Sequence, residues 1–182
     1  MKFDDITGDG RLWAVQYEGQ GENILTLTFR DWYDIDWLES FFRNNMDDLE
    51  SWFHITDVDA AIYDTIEDAH LLQCLILDIS PEADLDVLFR PLENGRTSEL
   101  HLGKEKAKGR PRSGHPSWLR LYALKLEPGV YLITGGSIKL TRTMAERGHT
   151  LEELKKLERV RNYLIDNGVS DMDGIKDISS NE

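Results

Sequence analysis

A predicted β-hairpin in the second half of the chain is the feature that most constrains its fold. Apolar residues dominate residues 118–126 and 130–134, and Glu127-Pro128-Gly129 joins the two segments. Proline followed by glycine suits the central positions of a type II turn. The sequence therefore predicts two antiparallel strands here. Gly135-Gly136 then predicts a bulge or a bend, followed by a third strand over residues 137–141.

The N-terminal part predicts a second hairpin and two helices. Alternating apolar and polar residues predict strands over residues 12–17 and 24–29, with a glycine-bearing turn between them. Apolar residues at helical spacing then predict one helix over residues 34–49 and another over residues 56–80. Ser80-Pro81 ends the second helix, since a residue before proline avoids the helical conformation.

The C-terminal part predicts one more helix and a tail. Leucines and a valine at helical spacing cover residues 150–167, and Thr150 and Glu153 form a capping box at its start. Residues 169–182 are mostly polar, and we expect a loose tail there. The order of elements predicts a single α+β domain over residues 1–168, with an antiparallel sheet flanked by helices.

Charge is distributed unevenly along the chain. The 182 residues include 21 Lys and Arg against 34 Asp and Glu, so the formal net charge is -13. Residues 1–99 hold 23 acidic and 6 basic residues, whereas residues 100–165 hold 6 acidic and 14 basic residues. This asymmetry predicts two regions of opposite charge that differ in function.

The basic region combines cations with one aromatic residue. Arg120 and Tyr122 lie two positions apart on a predicted strand, so they share a face of the sheet. Lys139 lies on a later strand, and if the strands are neighbours these three side chains form one cationic surface. Such a surface suits RNA, because phosphates pair with Arg and Lys while bases stack on Tyr. The same groups could promote RNA cleavage without a metal ion.

Other function classes find little support. No apolar run approaches the roughly 18 residues of a membrane-spanning helix. The first residues lack the apolar core of a secretion signal, so we expect a cytoplasmic protein. Cys74 is the single cysteine, and the five histidines lack the spacing of metal ligands. We expect no membrane partner, no metal ion and no cofactor.

The basic region also carries a family resemblance. Residues 118–124 form an arginine-bearing strand pattern, and residues 130–143 form an apolar strand pattern that ends in a lysine and several threonines. A predicted helix follows these two patterns. Over residues 85–165, this order of elements resembles the RelE/HigB-like toxin superfamily, including its phage-derived branch. Most of residues 10–170 is in addition similar to a group of Bacteroidetes proteins, which end in a block that matches Ile133–Glu158. The chain differs from the toxins in its greater length and acidity.

The resemblance implies a RelE-like core over residues 85–165, with residues 10–80 as an acidic elaboration made of a hairpin and two helices. It implies a toxin of a type II toxin–antitoxin system: a ribosome-dependent mRNA endoribonuclease, or a degenerate relative, neutralised by an antitoxin protein. The candidate catalytic residues are Arg120, Tyr122, Lys139, Arg142 and His149. The candidate nucleic-acid-binding residues are Lys104, Lys106, Lys108, Arg110, Arg112 and Arg147, and we expect residues 104–112 to form a mobile basic loop.

In the nuclease hypothesis, each of these residues has a specific role in RNA cleavage. Arg120, Lys139 and Arg142 would stabilise the phosphate, and Tyr122 would stack on or orient a base. Lys106 or His149 would transfer protons.

Two alternatives remain open at this stage. The first is a non-catalytic protein-interaction module, in which the basic region docks an acidic surface of this chain or of a partner. The second is a built-in inhibitor, in which the acidic residues 1–80 cover an ancestral RNA-binding face. Apart from both, the polar residues could be only the ordinary exposed face of a sheet, with their charge neutralised by the acidic residues 1–99.

Overall fold

Six strands form the sheet of the protein. The computed structural model describes residues 1–77, 84–92, 102–108 and 114–180. The strands are β1 (Lys2–Asp5), β2 (Leu12–Gln16), β3 (Phe89–Pro91), β4 (Gly103–Lys108), β5 (Leu119–Glu127) and β6 (Val130–Ile138). Their order is β1-β2-β6-β5-β4-β3. Only β2 and β6 run parallel among these neighbours, so the described sheet is mixed but mostly antiparallel.

Seven α-helices accompany the sheet in the described ranges. They are α1 (Ile24–Tyr33), α2 (Ile35–Asn44), α3 (Met46–Phe53), α4 (Val58–Leu77), α5 (Leu85–Leu88), α6 (Gly148–Asp166) and α7 (Met172–Ser180). A 3-10 turn at Met144–Glu146 precedes α6. None of the described helices is both long and apolar enough to cross a membrane. The protein is thus α+β, as the sequence predicts.

Two adjacent glycines on β6 let helices pack closely on both faces of the sheet. A Cβ atom added at Gly136 would lie 2.5 Å from the Thr28 methyl carbon of α1. A Cβ atom added at Gly135 would overlap the Glu153 carboxylate of α6. Because successive residues of a strand face opposite sides, α1 and α6 cover opposite faces of β6. The glycines therefore serve close packing, and β6 continues through them to Ile138.

An aromatic cluster attaches the acidic helices to the sheet. Trp118, just before β5, is fully buried, and its Nε1 donates a hydrogen bond of 2.9 Å to Thr65 Oγ1 on α4. Its ring also contacts Phe42 of α2 and Phe53 of α3, with centroids 5.6 Å and 5.1 Å apart. Rings at these distances add to the energy of apolar burial. The acidic region is therefore anchored by apolar packing.

The N-terminal hairpin differs from the predicted one. The strand over residues 12–17 is confirmed as β2, but its hairpin partner is β1, and the predicted strand over residues 24–29 is wrong. Asn23 caps a helix there, accepting a hydrogen bond of 3.0 Å from the Thr26 amide. The buried residues of α1 recur at helical spacing up to Trp32. Within residues 24–29 alone, the apolar residues also alternate with polar ones, and this alternation led to the prediction of a strand.

The predicted acidic helices are partly confirmed. The helix predicted over residues 34–49 is interrupted at Asn45, which ends α2 and begins α3. The Asn45 side chain donates a hydrogen bond of 2.8 Å to the Phe41 carbonyl, which competes with continuation of the helix. The helix predicted over residues 56–80 is confirmed as α4 up to Leu77, and the residues after it lie outside the described ranges.

The C-terminal hairpin is confirmed as β5 and β6, but two details differ. The pairing of β6 with β5 shifts register next to Gly135, as the predicted bulge requires, but β6 continues through both glycines to Ile138 and no separate third strand begins there. Residues 103–108, predicted as part of a mobile loop, instead form β4 and pair with β5 along their whole length.

The last two predicted segments also need correction. Helix α6 begins at Gly148, and the Thr150 hydroxyl donates to the Arg147 carbonyl at 3.0 Å inside the first turn. Glu153 does not complete a capping box, because its side chain is turned inward against the sheet. The predicted loose tail contains α7, whose Ile175 is fully buried.

Candidate anion-binding site

The register between β4 and β5 brings basic side chains together. Lys106 lies opposite Tyr122, and Lys108 lies opposite Arg120. Arg120 in turn lies opposite Ser137 on β6. Cross-strand partners project to the same face of a sheet, so residues from three strands contribute to one surface.

This surface forms the wall of a pocket of about 450 Å³. The segment after β6 and one leucine of α6 complete the enclosure. The described lining residues are Leu92, Lys106, Lys108, Arg120, Tyr122, Lys139, Arg142, Thr143, Met144 and Leu154. Five of these residues are cationic and none is acidic. None belongs to residues 1–80, so the described part of the acidic region does not line the pocket.

Main-chain carbonyls hold two of the cations on the strands. Arg120 Nη1 donates hydrogen bonds of 2.6 Å to the carbonyls of Ser117 and Leu119. Lys106 Nζ donates a hydrogen bond of 2.6 Å to the carbonyl of Leu92. A carbonyl carries only a partial charge, so these bonds orient the cations while leaving their positive charge in place.

The cation after β6 is held in the same way. Lys139 Nζ donates hydrogen bonds of 2.9 Å and 2.6 Å to the carbonyls of Thr141 and Arg142. The chain after the strand thus folds back over its own lysine. As a result the ammonium group of Lys139 stays beside the pocket that Arg120 lines.

The lysine pKa values show how concentrated the positive charge is. Burial, together with the charges of Lys108, Arg120 and Lys139, lowers the pKa of Lys106 to about 8. Burial and the Arg120 charge also lower the pKa of Lys108 and that of Lys139. Cations that depress one another's pKa in this way favour any ligand that brings negative charge.

Tyr122 contributes a wall to the pocket and leaves little room for stacking. Its side chain is 1% exposed, and its hydroxyl forms a hydrogen bond of 3.1 Å with Ser137 Oγ. Burial raises its pKa to about 12, so the phenol stays neutral at physiological pH. A ring buried to this extent does not offer a face to a base, which leaves the predicted stacking role without structural support.

Two predicted site residues are engaged elsewhere. Lys104 forms an ion pair with Glu158 of α6. Arg147 forms two hydrogen bonds of 2.5 Å and 2.6 Å with the Asp48 carboxylate, which lower the pKa of Asp48. Neither residue lines the cationic pocket.

His149 is also separate from the pocket. Its Nε2 lies 2.9 Å from the Ile138 carbonyl, and its ring packs edge-on against Phe41 with centroids 5.2 Å apart. It lines a different cavity, of about 310 Å³, beside α1 and α2. Arg110 and Arg112 lie outside the described residues.

No family model matches the chain. No curated protein and no solved structure gives a significant match either. Within the described ranges, no three His, Cys, Asp or Glu side chains are placed to share a metal ion. The functional interpretation therefore depends on the chemistry of the cationic pocket itself.

One strand pattern and several residues of the pocket were not predicted from the sequence. Lys104, Lys106 and Lys108 alternate with Glu105 and Ala107, which are buried, and this period of two is typical of a strand. Recognising β4 would have placed Lys106 and Lys108 beside Arg120. The apolar members of the pocket, Leu92, Met144 and Leu154, have no local signal because they come from three separate segments.

Proposed function

We propose that the cationic pocket binds the phosphates of RNA, and that the protein is a toxin-like, RelE/HigB-related protein acting on mRNA. One observation carries the proposal: five cationic side chains from separate segments converge on a single pocket without an acidic residue among its described lining residues. Arg and Lys are the residues that bind phosphate oxygens most strongly. Phosphate contacts supply most of the affinity of proteins for nucleic acid.

The pocket also contains groups for RNA cleavage without a metal ion. With a pKa of about 8, a minority of Lys106 side chains are neutral at pH 7 and can accept a proton from a ribose 2′-hydroxyl. The 2′-oxygen would attack the adjacent phosphorus while the bond to the 5′-oxygen breaks. Arg120 and Lys139 would stabilise the negative charge on the phosphoryl oxygens. The ammonium of Lys108 would give the leaving 5′-oxygen its proton.

Binding is tested with a short fluorescently labelled single-stranded RNA. Lys108 and Arg142 are exposed side chains at the pocket, so replacing both by alanine should leave the fold intact. We expect Lys108→Ala/Arg142→Ala to weaken RNA binding by about tenfold or more, since each phosphate contact contributes to affinity. The matched control, Lys155→Ala/Arg43→Ala, removes the same charges from exposed positions that do not line the pocket. Equal losses in the two double variants would contradict the proposal.

The toxin function is tested by expression in bacteria. We expect the wild-type protein to arrest translation and Arg120→Ala/Lys139→Ala to restore growth. Because Arg120 bonds to its own strand, circular dichroism must show that this variant folds. Lys106→Met offers a second variant that removes the proposed base and keeps Arg120. Equal growth with wild type and both variants would remove the nuclease claim and leave the binding claim to the RNA assay.

A non-catalytic binding role is the second candidate. Two observations favour it: Tyr122 is buried, and His149 lies outside the pocket. In that case an acidic segment of a partner protein, such as an antitoxin, would be the ligand of the cationic pocket. Tight binding of RNA without any cleavage would favour this candidate over the nuclease.

A further inference from the structure

We propose that the cationic pocket binds a terminal phosphate monoester of an RNA strand in preference to an internal phosphodiester. This inference rests on the proposed function and specifies its ligand. A terminal phosphate carries a charge of about -1.5 to -2 at pH 7 and three acceptor oxygens. An internal phosphodiester carries a single charge, and two of its oxygens are bonded to the strand on either side.

The number of cations favours the more highly charged group. Lys106, Lys108, Arg120, Lys139 and Arg142 line a single pocket of about 450 Å³. Cations this close repel one another, and one phosphodiester brings only a single negative charge to the cluster. A phosphate monoester offsets more of the charge and accepts more hydrogen bonds from the same donors.

The hydrogen bonds of Arg120 leave one edge of its guanidinium group able to donate to a phosphate. Both of its main-chain bonds come from Nη1, which fixes the plane of the guanidinium. Its Nε and Nη2 are then available among the described contacts for two oxygens of one phosphate. A planar guanidinium binds a tetrahedral phosphate through two parallel hydrogen bonds, which selects a group with several accessible oxygens.

The rest of the lining suits the end of a strand. Leu92, Met144 and Leu154 provide an apolar part of the same pocket. A terminal nucleotide can place its phosphate against the cations and its sugar or base against these side chains. Apolar walls with a few polar groups are typical of pockets that enclose a small ligand.

The test compares three otherwise identical short RNAs: one with a 5′-phosphate, one with a 3′-phosphate and one with hydroxyl groups at both ends. Each RNA carries an internal fluorophore, and binding to the full-length protein is measured by anisotropy. We expect one phosphorylated form to bind about tenfold more tightly than the form with two hydroxyl ends. The form that gains affinity identifies which end of the strand is bound. A nucleoside monophosphate that carries the same terminal phosphate should compete with that RNA.

The pocket variant supplies the control. The advantage of the terminal phosphate should disappear in Lys108→Ala/Arg142→Ala and persist in Lys155→Ala/Arg43→Ala. Equal affinity of wild type for all three RNAs would overturn the preference for a terminal phosphate, while RNA binding itself would stand. Failure of all three RNAs to bind would overturn both this inference and the proposed function.

Discussion

Arg120 and Lys139 inside the pocket have a different kind of partner from most of the cations described outside it. Both donate to main-chain carbonyls. Outside, Arg90 and Arg161 also donate to carbonyls, but eight other described Lys and Arg residues pair with carboxylates. Their ion pairs are Arg11–Asp9, Arg30–Glu22, Arg30–Asp31, Arg43–Glu39, Lys104–Glu158, Lys125–Asp86, Arg147–Asp48, Lys155–Glu152 and Lys156–Glu153.

This difference separates Arg120 and Lys139, whose described hydrogen bonds go to carbonyls, from cations already neutralised by a carboxylate. A carboxylate both orients and cancels a positive charge, whereas a carbonyl only orients it. The net charge of -13 therefore hides a local positive site, because no acidic residue is among the described lining residues of the pocket. The partner of a basic residue, more than the number of basic residues, decides what the surface can bind.

Placing a carboxylate inside the pocket should have the largest effect. Thr143 lines the pocket and begins the 3-10 turn, where its amide donates to Glu146 Oε1 at 2.5 Å. Asp and Asn both suit such a position, so Thr143→Asp and Thr143→Asn differ mainly in charge. We expect Thr143→Asp to weaken RNA binding by about tenfold and Thr143→Asn to remain close to wild type. Similar affinities of the two variants would show that charge cancellation in the pocket does not matter.

Raising the pH should have a smaller effect through Lys106. Its pKa of about 8 means that its positive charge is mostly present at pH 7 and mostly absent at pH 9. RNA affinity of the wild type should therefore fall by about threefold between pH 7 and pH 9, as one favourable charge is lost. The Lys106→Arg variant keeps its charge over this pH range, so its RNA affinity should change less between pH 7 and pH 9. An equal pH dependence of both proteins would exclude Lys106 as its source.

Removing Arg147 should change RNA binding least. Because Arg147 already pairs with Asp48, we expect Arg147→Ala to keep its RNA affinity within about twofold of wild type. Its urea unfolding midpoint at pH 7 should nevertheless decrease. The ion pair lowers the pKa of Asp48 below 3.8, so its stabilisation is present above pH 3.8 and is lost as the pH falls through the lowered pKa. A loss of RNA binding with unchanged stability would place Arg147 in the binding site after all.

The parts of the fold that follow from local pattern could be predicted from the sequence. The hairpin of β5 and β6 combines apolar strands with a Pro-Gly turn, and α4 has a long apolar stripe. The strand predicted over residues 24–29 was wrong. A few alternating residues fit the period of a strand as well as that of a helix, and the helix cap at Asn23 was overlooked.

The site could be predicted in part for a similar reason. Arg120, Lys139 and Arg142 were correctly placed near one another, because two of them lie on or beside neighbouring strands. The separation of His149 and Arg147 from the pocket depends on contacts with α2 and α3, which are distant in sequence. No spacing rule contains that information.

The salt dependence of RNA binding tests the central claim most directly. For single strands, the slope of log affinity against log salt changes by about 0.7 for each phosphate contact. If Lys108 and Arg142 contact phosphates, the slope for Lys108→Ala/Arg142→Ala should be shallower than that of wild type by about 1.4, and Lys155→Ala/Arg43→Ala should keep the wild-type slope. A pocket variant with the wild-type slope would contradict phosphate binding at this site.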